Sequence, residues 1–136
     1  MTLSAWYEGH TDAPVIVATP AELDALLDDV AALDGPQLVQ LLQDGDMAKP
    51  DLSVGFDGDR GVLRYAGKAE EFYSKGGTFP LPEYGEVMYY FATGEFEYPD
   101  DAEIPAADAR KAAHEYLASG GERPTCVEWT REGPTP

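Results

Sequence analysis

The groups able to do covalent or metal chemistry are few in this 136-residue chain: His10, His114 and a single cysteine, Cys126. A zinc site needs three or four Cys, His or carboxylate ligands at defined spacing, and neither histidine has a second one at ligand distance along the chain. One cysteine forms no intrachain disulfide. "SKGGTF" lacks the Gly-Lys-Ser/Thr order of a phosphate-binding loop. "GFDGDRG" places Asp57 and Asp59 two apart, as a calcium loop would, but the later ligands and the closing glutamate are absent, so it reads as a hairpin turn. Carboxylates are abundant enough for a paired-acid hydrolase, but no single pair stands out. The expectation is therefore no catalytic residue, no metal and no cofactor.

The carboxylates themselves are the distinctive chemistry. The chain carries 26 acidic and 9 basic residues, a formal net charge of −17. Between Lys75 and Arg110 there is no base, while Glu83, Glu86, Glu95, Glu97, Asp100, Asp101, Glu103 and Asp108 fall in that interval. Tyr84 and Tyr98 are the tyrosines expected to be exposed among them. Tyrosine supplies contact area and carboxylates steer a cationic partner. Asp44, Asp46, Asp57 and Asp59 form a second acidic group in two turns, whose field adds to the first if both lie at one end of the sheet. Such a surface argues against direct binding to nucleic acid or an anionic membrane, both of which require clustered Lys and Arg. It favours a basic protein partner. The partner-binding candidates are Asp57, Asp59, Tyr84, Glu86, Glu95, Glu97, Tyr98, Asp100, Asp101 and Glu103. The opposing reading is a rim of solvated loops, or acidity kept for solubility.

These residues must be held by a scaffold, and the pattern predicts one. Ser4–Gly9 and the β-branched "PVIVA" read as strands. Thr19, Pro20 and Glu22 form a capping box with proline at the first helical position. Leu23, Leu26, Leu27, Val30 and Leu33 make an apolar stripe, so a helix is predicted over about 20–33, stopped by Gly35-Pro36. "QLVQLL", "DLSVGF", "VLRYAG", "EEFYSKGG", "EVMYYFATG" and "EFEYP" read as strands, with Asp57-Gly58 a tight turn that uses glycine at positive φ. In "EFEYP", alternation puts Glu95 and Glu97 on an outer face and Phe96 with Tyr98 on the other. A second helix is predicted over about 105–118, with Ala109, Ala112, Ala113, Tyr116 and Leu117 buried and Ser119-Gly120-Gly121 as its stop. "TCVEW" is a last strand, with Trp129 in the core. The expected fold is a single α+β domain over 1–130, with a mostly antiparallel sheet of about six to eight short strands, two main helices and a loose tail at 131–136. The lone cysteine and the absence of a basic, apolar leader fit a cytoplasmic protein.

The C-terminal third, "KAAHEYLASGGERPTCVEW", resembles the Imm-one family of bacterial polymorphic-toxin immunity proteins. The resemblance rests on Ala112, Ala113, Tyr116, Leu117, Gly120, the Arg123-Pro124 step, Val127 and Trp129. "VGFDGDRGVLRYAG" and "EVMYYFATGEFEYPDDAEIP" extend it over about residues 38–129. It implies a non-enzymatic inhibitor that binds a cognate toxin, one-to-one, and neutralises it. The family's association with nucleic-acid-targeting toxins makes a DNA cytosine deaminase, or a nuclease, the expected partner. The alternatives are an acidic adaptor or DNA-mimic inhibitor of another nucleic-acid-binding protein, and a small carboxylate-based hydrolase.

Overall fold

The computed structural model describes all residues except 69, 77, 78, 82–84, 92, 93, 132 and 134–136, and the side chain of residue 10. Of the tail expected at 131–136, only residues 131 and 133 fall within it. In chain order the elements are β1 (Leu3–Tyr7), β2 (His10–Val17), α1 (Pro20–Ala31), β3 (Gln37–Gln43), β4 (Asp51–Asp57), β5 (Arg60–Ala66), β6 (Glu71–Lys75), β7 (Val87–Phe91), β8 (Gly94–Tyr98), β9 (Ile104–Pro105), α2 (Ala106–Ala118) and β10 (Glu128–Thr130). The α+β class, the two helices and the antiparallel sheet stand as the sequence predicts. The strand count does not: the described residues form a sheet of ten strands. Some are very short, and β9 is a two-residue pairing with no period of its own.

The main sheet runs β10-β6-β5-β4-β3-β1-β2. The β7–β8 hairpin joins it through one parallel bridge, Gln37 to Tyr90. β9 pairs with the outer edge of β5 where β6 has ended, Gly61 opposite Ile104 and Arg60 opposite Pro105.

Strand alternation divides the buried residues into two cores. On one face Val39, Leu41, Leu52, Val54, Phe56 and Leu63 meet Leu23, Leu26, Leu27 and Val30 of α1 and Ala109, Ala112, Ala113 and Tyr116 of α2. Alanines on α2 let that helix lie close to the strands. α1 begins as expected: the Thr19 hydroxyl accepts from the Glu22 amide at 3.2 Å, and a Glu22 carboxylate oxygen accepts from the Thr19 amide at 3.1 Å. α2 ends at Gly120 and Gly121, both at positive φ. The Gly121 carbonyl then accepts from Gln43 Nε2 at 3.1 Å and Tyr65 Oη at 2.9 Å, fastening the C-terminal segment to β3 and β5. Trp129 is partly exposed rather than fully enclosed. It packs edge-on against Tyr65, and its indole N–H donates to the Pro124 carbonyl.

On the other face Leu38, Val62 and Tyr73 are covered by Val87, Tyr89, Tyr98 and Ala102. The β7–β8 hairpin is thus a third layer. Its close approach depends on Gly55, in mid-strand: a Cβ there would lie 2.6 Å from the Tyr89 ring and 2.8 Å from both Leu38 and Val62 methyls. Tyr98 stacks edge-on with Tyr73 and Tyr89, at centroid distances of 5.6 and 5.8 Å. Burial drives the phenol pKa values of Tyr89, Tyr98 and Tyr116 well above their ordinary value of 10.0.

Two outcomes follow from this packing. Gly55→Ala forces apart three side chains in a closed layer and lowers the unfolding free energy by about 1–3 kcal/mol in urea titration; an unchanged midpoint contradicts the layer contact. In addition, raised phenol pKa values mean the folded state resists ionisation. The stabilisation is complete below pH 10, and is lost above it as the unfolded chain, but not the folded one, releases phenolic protons. Alkaline titration should therefore show the part of the tyrosinate absorbance that belongs to these three rings rising together with loss of circular dichroism, not before it.

Candidate partner-binding surface

The acidic segment after β8 does not hang free. Ser74 Oγ donates to the Ala102 carbonyl at 2.8 Å and accepts from the Leu63 amide at 2.9 Å. The Gly76 amide donates to the Asp101 carbonyl at 2.6 Å. Glu103 is only 6% exposed. One of its carboxylate oxygens accepts from Tyr89 Oη at 2.8 Å, and the other lies 3.3 Å from an Arg60 guanidinium nitrogen. Arg60 in turn reaches Asp59 at 3.9 Å and stacks over the Phe79 ring at 4.6 Å. A buried carboxylate costs much solvation unless charge and hydrogen bonds replace the water it loses. Here both oxygens are engaged, so Glu103 is a fastening of the fold.

This corrects two of the candidates chosen from sequence. Glu103 is buried, because the β5–β9 pairing turns the segment inward at Ala102–Ile104. Tyr98, expected to be exposed, is 1% exposed and closes the second core. Alternation along β8 does separate Glu95 from Tyr98, but burial and exposure do not follow it fully. Phe96 points to the same side as Tyr98 yet is 47% exposed, since it sits nearer the end of the hairpin. Tyr84 lies outside the described residues.

The remaining candidates are at the surface. Asp59, Glu86, Glu95 and Asp100 are exposed, and Asp57, Glu97 and Asp101 partly so. The β5–β9 pairing places the Asp57–Asp59 turn beside the 100–105 segment; the Ala106 amide donates to the Asp59 carbonyl at 2.9 Å. The two groups of acids therefore share one end of the sheet, as far as Asp57 and Asp59 are concerned. Asp44 and Asp46 do not join them, because the β3–β4 turn lies at the opposite end of the same strands. An exposed tyrosine does stand among the acids, but it is Tyr90, cross-strand from Glu95 and 37% exposed. The adjacent pair Tyr89-Tyr90 required one ring in and one out, a signal present in the sequence whose direction only the register decides.

Counting acids overstates the charge elsewhere. On the helical face Arg110 reaches Asp24 at 3.3 Å and Asp28 at 2.9 Å, and His114 Nε2 is 2.7 Å from Asp24. The His114 hydrogen bond, with Arg110 beside it, holds the Asp24 carboxyl below its ordinary pKa. The bases at the β4–β5 end are Arg60, taken up by Glu103 and Asp59, and the exposed Lys75, next to the Gly76 amide that donates to the Asp101 carbonyl. Among the described residues no group of His, Cys, Asp and Glu is arranged to hold a metal ion, and no helix is long and apolar enough to cross a membrane.

The sequence model of one family, described as Immunity protein Imm1, matches residues 11–131. The chain belongs to the Imm1 immunity protein family. No curated protein matches the chain. Imm1 proteins are non-enzymatic toxin inhibitors, so the partner of the chain is a cognate toxin. The residues that carry the Imm1 resemblance, Ala112, Ala113, Tyr116 and Gly120, build the helical core and its stop rather than the acidic end.

Glu103→Ala should leave Tyr89 and Arg60 without their acceptor and lower stability by about 3 kcal/mol. Glu103→Gln, which still accepts from Tyr89, should lose clearly less. Equal losses in denaturant titrations of the two variants would remove the carboxylate from its fastening role.

Proposed function

We propose that this immunity protein neutralises a toxin acting on nucleic acid, a DNA cytosine deaminase in the leading reading, by laying its acidic end across the toxin's basic substrate-binding surface. The observation behind this is the gathering of Asp57, Asp59, Asp100 and Asp101 around one end of the sheet, with the nearby Arg60 consumed internally. A toxin that grips a phosphate backbone presents clustered Lys and Arg. Carboxylates on a rigid scaffold meet the same groups that phosphates would, and close the entrance without touching the catalytic centre. Glu95, Glu97 and Tyr90 on the outer face of the β7–β8 hairpin extend this surface. The same reading places the complex where the toxin is made, in the cytoplasm of the producing cell.

The test uses the toxin domain encoded beside the immunity gene. The purified chain should abolish its activity on a DNA oligonucleotide at a one-to-one ratio, and association should slow steeply as salt is raised. Asp59→Lys with Asp100→Lys, both exposed, should slow association by about tenfold or more at low salt with no change in melting temperature. Binding indifferent to salt and to this double change would remove the steering role of the acidic end.

A further inference from the structure

The β7–β8 hairpin covers only part of the sheet face it packs on. Beyond it, towards the β2 edge, the same face carries a groove lined by Trp6, Pro14, Leu42, Met47 and Phe91 with Gln40 at its floor. A second hollow, under Phe96, shares Gln40 and Phe91 with it, so the two adjoin. Ile16, in register with Ser4 as Leu42 is, extends the apolar surface to the edge strand. Three of the large apolar side chains here are well exposed: Ile16 54%, Met47 81% and Phe96 47%. In a chain of net charge −17 this is an unusual use of surface, because contiguous exposed apolar area is rare on a monomer and marks a contact site.

No acid lines the two hollows, and Arg64 lines the second, but acids stand next to several of the lining residues. Asp44 and Asp46 flank Gly45, Asp46 precedes Met47, Asp12 precedes Pro14 on the same strand, and Asp51 accepts from Gln40 Nε2 at 2.6 Å. The described bases beside the groove are Lys49, paired with Asp44, and Arg64, paired with Glu71. A mostly apolar groove with acids beside it is complementary to an apolar knob with bases beside it. A second copy of this chain would bring its own acids against these, so self-association is disfavoured by the same charges.

We propose that this groove is the anchoring part of the toxin interface: an apolar segment of the basic toxin domain seats in it, against Ile16, Met47, Phe91 and Phe96, and sets the lifetime of the complex. The proposal rests on the immunity role and on a basic partner, but not on the toxin's being a deaminase. It assigns slow dissociation to the groove and fast association to the acids.

The neutral pair Ile16→Thr with Met47→Ser tests it, because it removes apolar area without changing charge. Against an inactive form of the toxin domain encoded beside the immunity gene, dissociation should be about tenfold or more faster, with the association rate within about twofold of wild type. A photo-crosslinking residue at Met47 should capture the toxin domain, while one at Lys111, exposed on α2 across the sheet, should not. Wild-type binding that ignores the pair, or crosslinking only from Lys111, overturns this proposal and leaves the occlusion reading standing. No wild-type binding at all overturns both. A dimeric free chain that the pair converts to monomer assigns the groove to a second copy and overturns the toxin as its occupant.

Discussion

The Glu103 carboxylate, held between Tyr89 and Arg60, is the contact that fixes where the rest of the acidic segment goes. It joins three elements distant in sequence: the β5 edge, the β7–β8 hairpin and the entry to α2. A chain so rich in carboxylates gains nothing electrostatically by burying another, so the contact must be satisfied on both oxygens to be tolerated. Once it is, Ala102 and Ile104 fall into the two cores on either side, and Asp100 and Asp101 are left at the outside of the turn. The geometry of the acidic end is thus a consequence of one buried acid rather than of mutual arrangement among exposed ones.

A second constraint is that the central strands are apolar on both faces. β3 and β5 alternate between Val39, Leu41 and Leu63 on the helical side and Leu38 and Val62 on the other. One helical layer cannot cover both, and the five-residue strands of β7 and β8 are too short to cover the whole second face. Gly55 shows where the hairpin presses closest, and Trp6, Ile16 and Met47 show where it has run out. An uncovered apolar surface is left next to a highly charged one.

Much of the scaffold was legible in sequence because it obeys local rules. The Thr19–Glu22 capping box, the Asp57-Gly58 turn and the glycine stop after α2 each need only neighbouring residues to be understood, and each is present as expected. The resemblance to immunity proteins was legible for a similar reason, since several of its residues are helix stripe and helix stop. The candidate site was less so. Tyr98 and Glu103 were drawn into the acidic surface by their neighbours in sequence, but their positions depend on β9 pairing with β5 and on the hairpin folding over Gly55. Those are contacts between residues some forty apart, and a two-residue strand carries no periodic signal. Tyr90 was hidden by the converse problem: alternation says that Tyr89 and Tyr90 face opposite ways, but not which ring meets the sheet.

On the proposed reading, the charge and the apolar groove answer different demands on a toxin inhibitor. Long-range attraction raises the encounter rate, yet exposed ion pairs are individually weak and are screened by cellular salt. A surface built from carboxylates alone would find its toxin quickly and release it quickly. Desolvated apolar contact has the opposite character: it does little at a distance and mainly slows dissociation. The two are also compatible in one molecule, because acids beside the groove keep it from recruiting further copies of the same acidic chain. If the proposed groove holds the toxin, the exposed Ile16, Met47 and Phe96 belong to the same device as Asp59 and Asp100, separated on the surface because attraction and retention make different physical demands.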